Sequence, residues 1–280
     1  MIGGAAGPIA RSHPRSLIER VIETDRAYFE LGARTRQIAG ATMAWTPGLE
    51  ACPAGAVVYR VDADKVAAHG RQWVADVESA LAEVGARLAR IYLDRRGTII
   101  DEWLRAAGYA DRDEIAFVHN FGEPTSLMTL SPVRTDADWQ RKLNLHEVAE
   151  GPPDGHFISA RDYVALERAK CAHGMEMYLA ECEGEAVATA GFIAGEGLAR
   201  IKNIVVHPDH RRQGFGASIL AHIAAVGRAR GLPTLCLFAL ADEPGEQLYR
   251  ALGMTIAGTQ VEWSKPLRGL TAFASNIAGE

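Results

Sequence analysis

The chain has 280 residues, of which 48% are hydrophobic and 23% are charged, and this composition excludes a collagen, a coiled coil and an intrinsically disordered chain. Since a domain typically holds about 100–200 residues, the length suits two domains better than one. The 30 basic and 35 acidic residues give a net charge of −5, which argues against a nucleic-acid backbone as the main partner.

The distribution of apolar residues and cysteines indicates a cytoplasmic protein. No stretch approaches the roughly 18 apolar residues of a membrane-spanning helix, and the amino terminus has no basic region followed by an apolar run. The cysteines are scattered without a CxxC spacing, which favours free thiols in a reducing compartment. They are Cys52, Cys171, Cys182 and Cys236. We therefore predict a cytoplasmic location without a membrane partner or a nucleic-acid partner.

The predicted elements of the first half begin with an amphipathic helix over 16–33 and a strand with a turn over 40–48. The polar loop that holds Asp62 and Asp64 is interpreted as a solvated turn. On either side of this loop the pattern predicts strand, helix, strand, helix and strand, at 56–61, 71–85, 90–94, 101–108 and 114–120. Glycine at the end of the second of these helices is the usual left-handed helix stop.

The second half begins with a short strand and a capped helix after residue 129, then a helix over 159–173 with Ser159 as its cap. A hairpin is expected at Glu183-Gly184. Sliding the sequence by 145 positions then places 57–109 over 202–254 without a gap, and the order strand, helix, strand, helix, strand recurs. This repeat predicts two α/β domains of similar topology, at 1–122 and 129–280, joined near a Pro-Thr-Ser turn signal.

One segment of the second half has the pattern of an anion site. A buried strand ends near Val206, Pro208 interrupts it, and an arginine- and glycine-rich stretch over 211–216 leads into a helix. Glycines allow backbone N–H groups to approach a ligand, and the amino end of a helix contributes a positive dipole. With two adjacent arginines, this geometry suits a diphosphate. The dinucleotide fingerprint GxGxxG and the P-loop pattern are both absent.

These residues resemble the GNAT superfamily of acetyl-CoA-dependent N-acyltransferases. The matching pieces are Val206-His207-Pro208, the stretch from Arg211 to Gly216, and the stretch from Leu248 to Met254. The resemblance covers about 130–266 and implies an α/β (α+β) fold of two tandem GNAT-like domains, each with a mixed, mostly antiparallel sheet flanked by helices. It also implies acetyl-CoA as co-substrate and a strand that splays from its neighbour to receive pantetheine.

The resemblance carries over to individual residues. It implies backbone amides around the pyrophosphate, pantetheine contacts along the preceding strand, an oxyanion donor at the Ile204 amide, and Tyr249 as the acid that protonates the leaving thiolate. The implied cofactor-binding residues are Ile204, Val205, Val206, Arg211, Arg212, Gln213, Gly214, Phe215, Gly216, Ala217 and Asp242. A packing role for Tyr249 in the core is the alternative.

The general base stays open. The position at which some members carry a catalytic glutamate is Arg200 here, and Asp242 replaces an asparagine often found before the tyrosine. Candidates by position alone are Glu181, Glu183, Asp242 and His173. His207 and His210 are explained by a family-type turn, so no metal is predicted.

The first copy lacks the features of the anion site. Val66, Ala67, His69 and Arg71 face Arg211, Arg212, Gly214 and Gly216, and Leu104 faces Tyr249. We therefore expect a degenerate first domain that does not bind coenzyme A and that forms one wall of the acceptor pocket.

The resemblance implies transfer of an acetyl or other short acyl group from acetyl-CoA to a primary amine of a small-molecule or peptide acceptor, by direct attack in a ternary complex. A ping-pong route through a cysteine is disfavoured because no cysteine adjoins a histidine base in the motif. The alternatives are a non-catalytic acetyl-CoA sensor and an aminoacyl-tRNA-dependent transferase. The negative net charge and the intact loop count against the second of these.

Overall fold

The structure is a computed structural model that describes residues 15–120, 130–150 and 159–267. The helices are α1 (Leu17–Glu30), α2 (Ala63–His69), α3 (Gln72–Glu83), α4 (Ile99–Ala106), α5 (Asp136–Glu150), α6 (Ala160–Cys171), α7 (Phe215–Ala229) and α8 (Pro244–Ala251). The strands are β1 (Arg34–Ile38), β2 (Ala41–Trp45), β3 (Ala56–Tyr59), β4 (Leu88–Leu93), β5 (Ala110–His119), β6 (Leu130–Pro132), β7 (Glu176–Cys182), β8 (Glu185–Gly195), β9 (Leu198–Val206), β10 (Leu235–Leu240) and β11 (Thr255–Pro266). None of the described helices has both the length and the apolar character that a bilayer crossing requires.

Within the described residues the strands form one continuous sheet of 11 strands, in the order β1-β2-β3-β4-β11-β5-β10-β9-β8-β7-β6. Most neighbours are antiparallel, and the parallel pairs are β3 with β4 and β9 with β10. The two strands at the centre have exchanged sides. Strand β11 pairs with β4 of the first half, and β5 pairs with β10 of the second half. Each half of the sheet is therefore completed by the closing strand of the other.

Helices cover both faces of this sheet. One face packs under α2, α3 and α4 in the first half and under α7 and α8 in the second, around two apolar clusters centred on Trp73 and Ile219. The other face packs under α1, α5 and α6, where Tyr28 and Phe29 of α1 meet Trp139 of α5. Because α1 also contacts β8, β9 and β11, the first helix of the chain lies over the junction of the two halves.

The repeat seen in the sequence is confirmed in the element order. The offset of 145 positions relates α4 to α8 at both ends, and it relates the start of β5 to the start of β11. The helix stops also correspond, since Gly108 (φ +84°) and Gly253 (φ +73°) both adopt the left-handed conformation. The boundaries at 1–122 and 129–280 stay a prediction, and the Pro-Thr-Ser turn lies outside the described residues.

One local prediction is corrected, and one strand was not predicted. The loop with Asp62 and Asp64 is not a plain solvated turn, because Asp62 caps α2 by accepting a hydrogen bond from the Lys65 amide at 3.2 Å. Strand β1 was not predicted, since its sequence RTRQI carries no apolar alternation. The cap at Ser159 and the hairpin at Glu183-Gly184 are as expected, and Ser16 also caps its helix.

Candidate functional site

Strands β9 and β10 form a wedge. Their parallel pairing is confined to Ala199 with Leu235 and Arg200 with Cys236. On its other side β9 stays paired with β8 from Leu198 to Val206, with a bulge between its pairings to Thr189 and Gly191. Asn203 lies in this bulge with φ +54°, which bends the strand. The part of β9 that is not paired with β10 contains Ile204, Val205 and Val206, all half-buried, so their edge towards β10 borders the opening.

The loop after β9 turns tightly into α7. Its first turn is a short 3-10 helix over Pro208–His210, and Arg212 then adopts a positive φ of +61°. Gly214 follows at φ +86° and is the N-cap of α7, which has no side-chain cap hydrogen bond. Without such a cap, the first amides of α7 keep their donors available for an anionic ligand.

The two arginines of this loop have different surroundings. Arg211 Nε donates to the Val206 carbonyl, and its Nη2 donates to the Ala149 carbonyl, both at 3.2 Å. Gln213 also turns back to the loop, since its Nε2 donates to the Asp209 carbonyl at 2.8 Å. Arg212 is exposed, and its guanidinium has no hydrogen-bond or ion-pair partner among the described residues. Arg211 therefore holds the loop in place, whereas the guanidinium cation of Arg212 is available to a ligand.

A cavity of about 730 Å³ lies where the wedge, the loop and α8 meet. It is lined by Val206, Pro208, His210, Arg211, Arg212, Gly214, Phe215, Gly216, Ala217, Pro244, Gly245 and Leu248. Most of the implied cofactor residues are thus brought together. Those that do not line the cavity are Ile204, Val205, Gln213 and Asp242.

Several lining residues were not among the cofactor-binding residues implied by the sequence. Pro208 and His210 stand inside the quoted loop motif, and Leu248 precedes the tyrosine of the second motif, so each had a signal in its neighbours. Pro244 and Gly245 begin α8 and had no such signal. A Cβ at Gly216 would lie 2.9 Å from Leu248 Cδ2, so a larger residue there would displace the end of the Leu248 side chain.

Tyr249 lies directly behind the cavity wall and not on it. Its ring packs on Phe117 with a centroid separation of 5.6 Å, and only 9% of the residue is exposed. The space where a Gly245 side chain would project is 3.8 Å from the Tyr249 hydroxyl, and that hydroxyl has no hydrogen-bond partner among the described residues. Burial raises the pKa of Tyr249 to about 12, although Arg200 opposes the shift. The phenol is therefore protonated throughout the neutral range.

The positional candidates for a base lie elsewhere. Glu181 pairs with Arg141 at 3.1 Å, and Glu183 occupies the hairpin turn with φ +53°. Asp242 is exposed in the turn before α8. His173 packs against Gly32, whose Cβ would lie 2.6 Å from the imidazole. None of these residues lines the cavity.

A network of buried charges joins α1 to β9 and β11 on the opposite face of the sheet. Asp25 of α1 accepts hydrogen bonds from Arg200 Nη2 at 2.7 Å, from Lys202 Nζ at 2.7 Å and from Gln260 Nε2 at 3.0 Å. Burial alone would raise the pKa of Asp25, but Lys202 and Arg200 hold it well below its usual range. The network therefore ties the first helix of the chain to the strand that opens the wedge.

The first half, as far as the structure describes it, has no counterpart of the loop. The segment that corresponds to the arginine- and glycine-rich stretch is α2, and its Val66 is fully buried in the core of that half. His69 is paired with Asp76, with 2.7 Å between Nε2 and Oδ2. Leu104, which corresponds to Tyr249, is also fully buried. Within the described residues no group of three or more histidine, cysteine or acidic side chains is placed to hold a metal ion.

Comparison with known proteins gives a consistent result. Residues 173–255 match the family model described as an acetyltransferase (GNAT) domain, which supports acyl transfer as the class of reaction. No curated protein matches the chain by sequence. Solved structures do match, at identities that show a shared fold and no more.

Three of these structures span most of the chain. A GCN5-related N-acetyltransferase from Kribbella flavida is 15% identical with a TM-score of 0.63, and the match covers 90% of this chain and 97% of that one. A conserved protein of unknown function from Staphylococcus epidermidis is 14% identical with a TM-score of 0.64, covering 87% and 97%. A tandem GNAT protein from the clavulanic acid biosynthesis pathway is 13% identical with a TM-score of 0.51, covering 82% and 79%.

Proposed function

We propose that this chain, whose fold is that of the GNAT superfamily, transfers an acetyl or other short acyl group from acetyl-CoA to a primary amine by direct attack in a ternary complex. The observation that carries the proposal is the wedge between β9 and β10, which opens at the uncapped amino end of α7. A thioester entering this wedge meets free main-chain groups of β9, while its diphosphate meets the amides of α7.

The residues around the cavity fit coenzyme A. Gly214 and Gly216 leave the α7 amides accessible, and the exposed guanidinium of Arg212 supplies positive charge for a pyrophosphate. The amides over 213–217 would hold this group. Ile204, Val205 and Val206 would bond pantetheine along the edge of β9 that is not paired with β10. When bound, acetyl-CoA supplies an activated acyl group as a thioester.

Two groups of the protein would assist the reaction. We assign the Ile204 amide as the donor to the oxyanion that develops on the thioester carbonyl, and one such donor is worth about 2.7–4 kcal/mol of transition-state stabilisation. We assign Tyr249 as the acid that protonates the departing thiolate, which its neutral phenol allows. Asp242 was implied as a cofactor residue, and its exposed side chain outside the cavity gives this role no support.

The cysteines favour direct attack over an acyl-cysteine intermediate. Burial raises the pKa of Cys171 to about 12, and burial also raises the pKa of Cys236. Cys182 is exposed at the end of β7 and does not line the cavity. A cysteine nucleophile needs its thiolate form, so the buried thiols are poor candidates.

We propose that the first half is a degenerate domain that does not bind coenzyme A and that helps to shape the acceptor pocket. Its α2 occupies the position of the anion loop, and its α1 packs on β9 through Asp25. The acceptor is a primary amine of a small molecule or a peptide.

The direct test is release of the CoA thiol from acetyl-CoA with a panel of primary amines. A suitable panel is lysine, spermidine, glucosamine, kanamycin and a peptide with a free amino terminus. We expect turnover with at least one amine, and we expect Tyr249→Phe to lower kcat by about 10²- to 10⁴-fold while the Kd for CoA is unchanged. Tight CoA binding without turnover in the whole panel would favour a sensor, and absence of CoA binding would refute the proposal altogether.

A further inference from the structure

The proposed reaction requires a group that removes a proton from the acceptor. A primary alkylamine is an ammonium ion at neutral pH, and the ammonium has no lone pair with which to attack a carbonyl. None of the positional candidates from the sequence lines the cavity, so the base has to be sought in the three-dimensional arrangement.

The acceptor has to approach from the face under α1. The cofactor cavity and Tyr249 belong to the face covered by α7 and α8. Since the cofactor would fill the wedge from that side, an amine attacking the thioester directly meets it from the opposite side. The relevant carboxylates are therefore those that point to the α1 face.

The strand exchange places one carboxylate on that face beside the open part of the wedge. Glu114 of β5 is paired with Leu240, the last residue of β10. Leu240 and Ile204 are each four residues beyond the last pair that joins β9 to β10. Ala116 and Val118 of β5 pack with Val21 of α1, so the alternation of the strand directs Glu114 to the same face.

The other carboxylates of this region are engaged by donors. Asp25 accepts from three side chains. Glu262 accepts from the Tyr92 hydroxyl at 2.9 Å and lies 3.3 Å from Arg90. Glu167 lies 2.7 Å from Lys142 Nζ and accepts from Asn203 Nδ2 at 2.8 Å. Each of these three carboxylates is therefore already held by at least two donor groups of the protein.

Glu114 differs from these three carboxylates. Its Oε2 accepts one hydrogen bond, from Gln260 Nε2 at 2.5 Å, and its Oε1 accepts none from the described residues. Gln260 also donates to Asp25, so it positions Glu114 relative to the buried network. The residue is partly buried and keeps some exposure to solvent.

We infer that Glu114, supplied by the first half of the chain, is the general base of the proposed acyl transfer. Its carboxylate takes one proton from the acceptor ammonium, and the nitrogen lone pair forms the C–N bond while the C–S bond breaks. The second nitrogen proton leaves as the amide forms, and it replaces the proton that the Tyr249 phenol gives to the departing thiolate. The net products are the amide, the free thiol and one proton, which Glu114 returns to solvent. This inference rests on the proposed function.

The surroundings of Glu114 suit this role. Burial raises the pKa of Glu114, and the negative charges of Asp25 on α1 and Glu262 on β11 raise it further. Lys202 of β9 and the Gln260 hydrogen bond lower it. The resulting pKa is about 7. Arg200 of β9 and both Arg90 and Tyr92 of β4 also face this group. A base with a pKa near the working pH combines a large deprotonated fraction with a useful proton affinity.

The test compares Glu114→Gln with Asp113→Asn, a matched change of charge at the next residue of the same strand, where Asp113 pairs with Arg96 on the protein surface. With the best amine of the panel, we expect kcat/KM of Glu114→Gln at pH 7.5 to fall by about 10²- to 10⁴-fold, and that of Asp113→Asn to stay within about twofold. The wild-type rise of kcat/KM with an apparent pKa near 7 should disappear in Glu114→Gln. The loss should shrink for an analogue whose amine has a lower pKa, because a neutral amine needs no base. CoA affinity should not change.

The outcomes separate the inference from the proposed function. A Glu114→Gln enzyme that keeps the wild-type rate and pH profile would overturn the role of Glu114 and leave the acyl transfer intact. A wild-type protein that transfers to no amine would overturn both. If Glu114→Gln does not fold, Glu114→Asp replaces it, and the same pH limb must persist at a lower rate. A carbon-13 titration of the wild-type Glu114 carboxyl with a midpoint near 4 would also refute the inference.

Discussion

A pair of glycines at the two ends of α7 allows a controlled test of the anion site. Gly214 precedes the helix at φ +86°, and Gly231 follows it at φ +76°. Both are exposed, and an alanine at either position adopts a left-handed conformation that costs roughly 1–2 kcal/mol. Gly214 lines the cavity, whereas a Cβ at Gly231 would meet nothing within 4 Å. The two substitutions therefore cause the same backbone strain, but only the one at Gly214 changes the lining of the cavity.

We expect Gly214→Ala and Gly231→Ala to lower the melting temperature by a similar amount, roughly 2–8 °C for a chain of this size. A hydrogen bond to a charged group contributes about 1.5–3 kcal/mol, so losing one amide contact to the pyrophosphate should weaken CoA binding by roughly 10- to 150-fold. Isothermal titration calorimetry with CoA measures this change. The Kd of Gly231→Ala should equal that of the wild type. The assignment of the loop would be refuted if both variants lost the same affinity for CoA, or if neither variant lost any.

Three further predictions concern other parts of the chain. Since burial raises the pKa of Tyr249 to about 12, the rate of acyl transfer should not decline between pH 8 and pH 10, and a descending limb in that range would contradict the role of this acid. Asp25→Asn should lower the free energy of unfolding at pH 7 by about 3–5 kcal/mol, because Arg200 and Lys202 lose their buried counter-charge. The pKa of Asp25 is lower in the folded state than in the unfolded state, where it is near 4, so the ionised carboxylate stabilises the fold above that pH. Urea titrations should therefore show that the difference in unfolding free energy between variant and wild type shrinks as the pH falls through and below about 4. Trp263→Ala should cost about 3–5 kcal/mol and should increase hydrogen exchange in α3, since the Trp263 side chain of β11 is fully buried in the core of the first half; unchanged exchange in α3 would contradict that packing.

Much of the fold follows from local signals that act over a few residues. Ser16 and Ser159 begin helices because their hydroxyls accept hydrogen bonds from amides of the first turn, and Gly108 and Gly253 end them. The shared order of elements was also predictable from the repeat, because both copies contain the same local periodicities. The anion loop was also predictable, because its glycines and arginines are contiguous.

The partners of the closing strands were not predictable from these signals. Alternation along β11 shows which residues face a core, and it does not show whether that core belongs to the first or the second half. Glu114 was overlooked for the same reason. It lies in a stretch predicted only as a strand, and the groups that give it its character come from α1, β9 and β11, which are distant in sequence. Helix α2 was missed because seven residues give too short a window for helical periodicity.

The exchange of β5 and β11 has a consequence for the order in which the protein is made. Strand β4 leaves the ribosome long before Thr255–Pro266, the segment that pairs with it, has been translated. At about 5–20 residues per second, the nascent chain waits roughly 10–30 s with that edge unsatisfied and with the site of Trp263 vacant. The first half therefore cannot complete its sheet before the second half has been translated, as an independent early domain would. A chaperone that covers the exposed edge of β4 would bind the nascent chain during that interval.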